Sequence, residues 1–306
     1  MVTASTAPPF TDLTACVEAL GRACDARAAS SPRPDAVELS GGIDSMIVAA
    51  AASRSGARPM ALTVTTDPDD SAQDAPAARR VADALGLEWR PVLITRARAR
   101  ELASFAVELL GGRGLYQVAA TMATLALADE LAALHGRVVW TGYGADRLFG
   151  PYGVPGGTGK DALDWAGRVA AQRHGEASLA TSQYGDAHQR ALGGRVDAHD
   201  FFVDRGIVGV AARSGGLLMA GGGLSKAPLR ALGESWGLDR VLTRRPKSAL
   251  QISSGIFALL ADLAREDEAE LTNDHTFDPV ARTGRDLEVL GAYWLALRYR
   301  AADEGR

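Results

Sequence analysis

The chain has 306 residues, 47% of them hydrophobic, and a formal net charge of −4, enough for one large core or two packed lobes. A small negative charge without a basic tract excludes a dedicated nucleic-acid binder, whose affinity rests on phosphate neutralisation. The opening MVTASTAPPFTD has no basic start or apolar core of a secretion signal, and no run of about 18 apolar residues occurs, so neither export nor a membrane span is expected.

In chain order, the first element is a helix carrying both cysteines, Cys16 and Cys24. Without a CxxC pair they read as packing residues of a reduced, cytoplasmic protein. Short β-rich runs then alternate with helical patterns. Residues 36–39, 59–65, 88–94 and 137–141 read as strands; 44–55, 72–85, 98–110 and 117–135 read as helices. Arg96, Arg98 and Arg100 are expected on a solvated helix face. The alternation predicts an α/β fold with a doubly wound parallel sheet, which binds ligands outside the carboxyl ends of its strands. Beyond residue 150 no strand alternation is visible; 162–173, 226–235, 254–270 and 285–301 read as helices joined by glycine-rich segments at 150–159 and 214–223. The expected organisation is a single domain, 1–306, in two portions: an α/β portion over 1–150 and a mostly helical, substrate-binding portion over 151–306.

Two glycine-punctuated loops follow predicted strands. The first is Ser40-Gly41-Gly42-Ile43-Asp44-Ser45, the second Thr141-Gly142-Tyr143-Gly144-Ala145-Asp146. Glycines after a strand let backbone N–H groups approach an anion, and the next helix adds its positive end. Ser40 and Ser45 add hydroxyl donors. Asp44 fits either of two readings: a first-turn acid favoured by the helix dipole, or a ligand to Mg²⁺ lying between carboxylate and phosphates. GGTGK at 156–160 resembles a Walker A loop, but Val154 and Asp161 stand where that motif needs Gly and Ser or Thr. It reads better as a loop that could close over the site. The five histidines show no metal-ligand spacing, so no zinc site is expected.

The motif S-G-G-I-D-S after a first strand resembles the pyrophosphate loop of the N-type ATP pyrophosphatases. W-T-G-Y-G-A-D-R-L-F-G at 140–150 is similar to the matching segment of the asparagine synthetase synthase domain. The likeness continues through Lys226-x-x-Leu229-Arg230 and Arg245-Pro246-Lys247 and runs from about residue 14 to 300. It implies an adenine nucleotide alpha hydrolase-like fold with a helical C-terminal lobe. It also implies ATP and Mg²⁺ as cofactors, and cleavage of ATP to AMP and pyrophosphate. By the same resemblance Asp44 and Asp146 would hold Mg²⁺. Ser40, Gly41, Gly42 and Ser45 would hold pyrophosphate, with Lys226 and Arg230 on pyrophosphate or ATP. The peptide groups of Leu39, Thr63 and Gly142 would contact adenine or ribose. Asp74 matches the family's acidic residue after the second strand; it would face the pyrophosphate-side metal or cap the helix that begins near it. Ser253-Ser254-Gly255 could add donors at a helix start.

Asparagine synthetases usually read G-E-G-x-D where this chain reads Gly142-Tyr143-Gly144-Ala145-Asp146. Tyr at that place resembles the β-lactam and carbapenam synthetases, in which a Tyr paired with a later Glu deprotonates the attacking amine. Glu176, 33 residues after Tyr143, would be that partner here. Lys247 would stabilise the ring-closing transition state. Those relatives also carry an N-terminal glutaminase or a degenerate form of it, whereas this chain begins almost at the synthase domain. The resemblance thus implies a carboxylate–amine ligase of specialised metabolism, most simply one that closes a lactam on a small carboxylate bearing its own amine. An asparagine synthetase-like amide synthetase, fed ammonia by a separate glutaminase subunit, is one rival. A sulfur-transferring relative is a second, and a catalytically silent nucleotide-binding partner a third. A carrier protein holding the acid and a homodimer over the face that relatives cover are further expectations.

Overall fold

The computed structural model describes residues 9–70, 74–111, 114–149, 193–214, 217, 224–246, 250–267 and 294–295. Among these residues, five short strands form one parallel sheet: β1 (Ala36–Glu38), β2 (Met60–Thr65), β3 (Trp89–Leu93), β4 (Val138–Thr141) and β5 (Asp197–Asp200), in the order β3-β2-β1-β4-β5. The chain steps outward from β1 through β2 to β3, then returns to the other side of β1 as β4. The switch point therefore lies between β1 and β4. There, in open α/β sheets, the loops at the carboxyl ends part and leave a crevice.

Alternate residues of the strands feed two cores, one on each face. Val37, Ala61 and Trp140 pack with α1 (Leu13–Ser30), α2 (Ile43–Arg54), α3 (Ala75–Leu85), α7 (Arg205–Arg213) and α8 (Ala227–Ser235). Ala36, Leu62 and Val139 pack with α4 (Arg96–Leu110), α5 (Leu115–Ala133) and α11 (Ile256–Glu266). This is the period-two pattern of a sheet covered on both sides. Among the described residues the remaining helices are short: α6 (Ala145–Phe149), α9 (Arg240–Thr243) and α10 (Leu250–Ser253). From Ser45 to Ala52 every residue of α2 is buried, as expected of a helix apolar all round and enclosed by the sheet, α1, α3 and α8. Cys16 and Cys24 are fully buried in α1, and burial, with Asp25 and Asp204 nearby, pushes the Cys24 thiol well above its ordinary value. No helix among the described residues is long and apolar enough to cross a membrane.

The structure departs from the sequence reading at several places. The second half does contribute a strand: β5, Asp-Ala-His-Asp, pairs in parallel with β4 from Val138↔Asp197 to Thr141↔Asp200. It lacks the β-branched, alternating signal because it is an edge strand. Its hold comes from the ladder, from the Thr141 hydroxyl donating to Asp200 Oδ1 at 2.7 Å, and from the rings that follow. Phe201 packs on Trp140 and Phe202 on Phe149, with centroids 5.4 and 6.1 Å apart. The arginines of α4 do not form a simple solvated face. Arg96 pairs with Glu266 and Asp262, Arg98 with Asp129, and Arg100 with Asp267 through two bonds of 2.5 and 2.8 Å, tying α4 to α11 and α5. The helix read over 226–235 begins at Ala227, and that read over 254–270 is observed over Ile256–Glu266. The helix read over 162–173, all but two residues of that over 285–301, the GGTGK loop and the boundary near 150 lie outside the described residues.

Candidate functional site

The loop after β1 is built from its own hydroxyls. Ser45 donates to the Gly42 carbonyl at 3.0 Å and accepts the Ser40 N–H at 3.1 Å, while the Ser40 hydroxyl lies 3.2 Å from that of Ser45. The Gly42 N–H reaches the Ser40 hydroxyl at 3.4 Å. Gly42 is the N-cap of α2 and supplies no side-chain cap, so the first-turn N–H groups face outward at the positive end of a buried helix. Gly41 has φ +70°, and a Cβ there would lie 2.8 Å from the Ala78 nitrogen and 3.0 Å from the Asp74 carbonyl oxygen. Only glycine allows the loop to lie this close to the start of α3.

The loop after β4 comes equally close to the start of α2. A Cβ on Gly142 would lie 3.3 Å from both Asp44 Cβ and the Ser45 nitrogen. That approach brings the first turn of α6, with Asp146, beside the first turn of α2, with Asp44. Between the two carboxylates stands a third group that the sequence had assigned to the nucleotide. Lys226 Nζ donates to Asp44 Oδ1 and Oδ2 at 2.7 and 2.6 Å and to Asp146 Oδ1 at 2.5 Å. Lys226 is 0% exposed. Its backbone is left-handed, φ 65° and ψ 39°, at the N-cap of α8, a conformation non-glycine residues adopt only when their surroundings hold them there.

This arrangement fits a divalent cation bound together with phosphates. Two hard carboxylate oxygen donors converge on a point that already holds a positive charge. Mg²⁺ is commonly held by one or two carboxylates with substrate phosphates completing its shell. Among the described residues no group of three or more His, Cys, Asp or Glu side chains forms a self-sufficient metal cage.

A second cluster lies where β2 leads to α3. Asp74 is the N-cap of α3 but makes no side-chain cap bond. Its carboxylate instead accepts from Arg245 at 2.5 Å through Oδ1 and from the Ser253 hydroxyl through Oδ2. Two main-chain bonds run alongside: Asp74 N–H to the Ser253 carbonyl at 2.8 Å and Thr66 N–H to the Ser254 carbonyl at 2.9 Å. Arg230 is buried close by and points at carbonyls, donating to Ser225 at 2.6 Å, Thr243 at 2.5 Å and Arg245 at 3.0 Å. Burial, only partly offset by the charge of Asp44, lowers its affinity for a proton. These bonds fix the segments on either side of 246–250 to the sheet edge. The guanidinium expected on ATP thus holds backbone, and the aspartate expected at the metal or as a cap holds Arg245 and Ser253.

The remaining expected residues divide. Leu39 is fully buried and its carbonyl accepts the Thr63 hydroxyl at 2.6 Å, while Trp89 Nε1 donates to the same hydroxyl at 2.9 Å. Tyr143 is half-buried, its N–H bonded to the Thr141 hydroxyl at 3.3 Å. Glu176 and Lys247 lie outside the described residues. Arg245 and Ser253 are the partners of Asp74 that the sequence did not reveal in that role. Arg245 opens the Arg245-Pro246-Lys247 motif and Ser253 the Ser253-Ser254-Gly255 helix start.

Among solved structures, the chain is similar to an NMN synthetase from Francisella tularensis, with 15% identity, a TM-score of 0.45 and 95% and 96% of the two chains covered. It is also similar to an NH3-dependent NAD synthetase from Campylobacter jejuni, with 16% identity, a TM-score of 0.38 and 97% of each chain covered. No curated protein matches the sequence significantly. The profile of the Asparagine synthase family matches residues 16–192, more than half of the 306 residues. With the doubly wound sheet and both glycine loops at its switch point, the chain belongs to the asparagine synthase family.

Proposed function

We propose that this protein is an AMP-forming carboxylate–amine ligase that closes a lactam on a small acid bearing its own amine. The coarser part, an ATP-dependent amide-forming ligase, comes with the family. The observation that supports the AMP-forming step is the convergence of Asp44, Asp146 and Lys226 beside the Ser40–Ser45 loop at the switch point.

A carboxylate is a poor acyl donor because oxide is a poor leaving group. Its oxygen attacks the α-phosphorus of ATP, the bond from that phosphorus to the bridging oxygen breaks, and pyrophosphate leaves. An acyl adenylate remains. Such a displacement depends on positioning and charge neutralisation more than on covalent help. The hydroxyls of Ser40 and Ser45 and the first-turn N–H groups of α2 would orient the departing pyrophosphate. Mg²⁺ held by Asp44 and Asp146 would supply Lewis acidity and a template for the phosphates. Lys226 would place its ammonium against the triphosphate. The substrate amine then attacks the acyl carbon, the bond to the AMP oxygen breaks, and the amine proton passes to a base.

Tyr143 supports the lactam form, since it occupies the position at which amide synthetases using ammonia carry Glu. A phenol titrates near pH 10 and needs a charged partner to accept a proton at neutral pH. Glu176 and Lys247 are assigned that task from the motif. Asp74 and Arg230 are assigned structural parts instead, holding the segments on either side of 246–250.

The test is a product assay with Mg-ATP and a panel of amino-bearing carboxylic acids, with and without ammonia. AMP with a product lighter by one water and no added nucleophile is expected. AMP only when ammonia is present would make this chain an ammonia-using amide synthetase.

A further inference from the structure

The Lys226 ammonium stands at the point a divalent ion would share with the carboxylates. Asp44 gives it both oxygens and Asp146 one, at 2.5 to 2.7 Å. Mg²⁺ needs such oxygens at about 2.1 Å, and they cannot close on it while they close on the ammonium. Two cations side by side at a mostly buried point would also repel strongly.

The lysine does not reach the pair on a loose surface tether. It is fully buried, left-handed in backbone, and followed by a helix whose Arg230 is locked to the carbonyls of Ser225, Thr243 and Arg245. Its backbone is set, so the ammonium departs only by a swing of its side chain toward new negative partners. A buried ammonium gives up two carboxylates only for groups that replace them. A triphosphate is such a group.

We infer that Lys226 is a built-in cation that closes the Asp44–Asp146 pair to free divalent ions. It yields the pair only when a nucleotide brings phosphates for the ammonium together with the metal. Metal binding is thereby conditional on nucleotide, and bare Mg²⁺ neither occupies nor stabilises the site. The inference rests on the ATP reading above.

The experiment counts Mn²⁺ retained with the full chain on ultrafiltration, with and without α,β-methylene-ATP. The nucleotide should tighten Mn²⁺ retention by wild type at least about tenfold. Lys226→Met should retain Mn²⁺ without nucleotide at least about tenfold more tightly than wild type, because the Lys226 ammonium no longer occupies the carboxylate oxygens. In thermal unfolding, Mn²⁺ alone should stabilise Lys226→Met and leave wild type unmoved. Wild type holding Mn²⁺ equally well with and without a bound analogue overturns the inference, even if the variant does not fold. Unchanged Mn²⁺ retention by a folded Lys226→Met overturns it as well. A wild type that binds no analogue in the presence of Mn²⁺ contradicts the ATP reading itself, a separate result.

Discussion

Two partly buried charge clusters border the carboxyl edge of the sheet, and they differ in what ties them together. At β1 and β4, among the described residues, Lys226 is joined to Asp44 and Asp146 by hydrogen bonds between side chains. At β2, Asp74 is joined to Arg245 and Ser253 by side chains, and two main-chain hydrogen bonds run beside them. A contact made only of side chains can exchange one partner for another without moving the backbone. A contact doubled by main-chain bonds cannot. The first cluster has the character of a site whose cation is exchanged, the second that of a clasp.

The contrast is sharpest for the exchangeable cluster. Asp146→Asn keeps size and fold but removes charge where phosphate-bound metal would sit, so AMP formation is expected to fall by about 10³-fold or more. Full turnover in a nucleotide-product assay would remove Asp146 from the chemistry. Asp74→Ala should show the opposite profile. Breaking a buried pair leaves the Arg245 guanidinium without its carboxylate, and unfolding free energy is expected to drop by about 3 kcal/mol. A urea titration reads this as a lower midpoint at unchanged slope. If the midpoint stays put, the second cluster is not a clasp.

Tyr143→Phe separates the two chemical steps. ATP–pyrophosphate exchange should persist while amide formation slows by about 10²-fold. Equal loss in both would argue against a base and for a binding role. The smallest effect lies far from both clusters. Burial raises the Cys24 thiol above its unfolded value near 8.5. The stabilisation is fully present below that pH and is lost as pH rises past it, because only the unfolded chain then releases the proton. Stability should fall by up to about 1.4 kcal/mol per pH unit above 9 in wild type, and less steeply in Cys24→Ala. Identical pH profiles would show that the thiol titrates alike in both states.

The sheet was legible where strands are β-branched and separated by helices: β1 to β4 fall within a residue or so of their expected bounds. β5 was hidden because Asp197-Ala198-His199-Asp200 has neither apolar alternation nor branched side chains, and an edge strand needs neither. The meeting of Asp44 with Asp146 followed from topology, since both loops leave neighbouring parallel strands at the same end. The ammonium between them did not. Lys226 reaches Asp44 across 182 positions and Asp146 across 80, and no local pattern encodes such pairs. The partners of Arg230 were hidden for a related reason. One turn along α8 from Lys226, it shares the motif, but its side chain turns inward to three carbonyls.

The measurement closest to the central claim follows the oxygen that leaves the substrate. An acid that supports turnover is prepared with oxygen-18 in its carboxylate and reacted with unlabelled ATP, and the nucleotide is analysed by mass. Attack of the carboxylate on the α-phosphorus, followed by nitrogen attack on the acyl carbon, predicts labelled AMP and unlabelled pyrophosphate. Formation of ADP with labelled phosphate would place the attack on the γ-phosphorus and contradict the account.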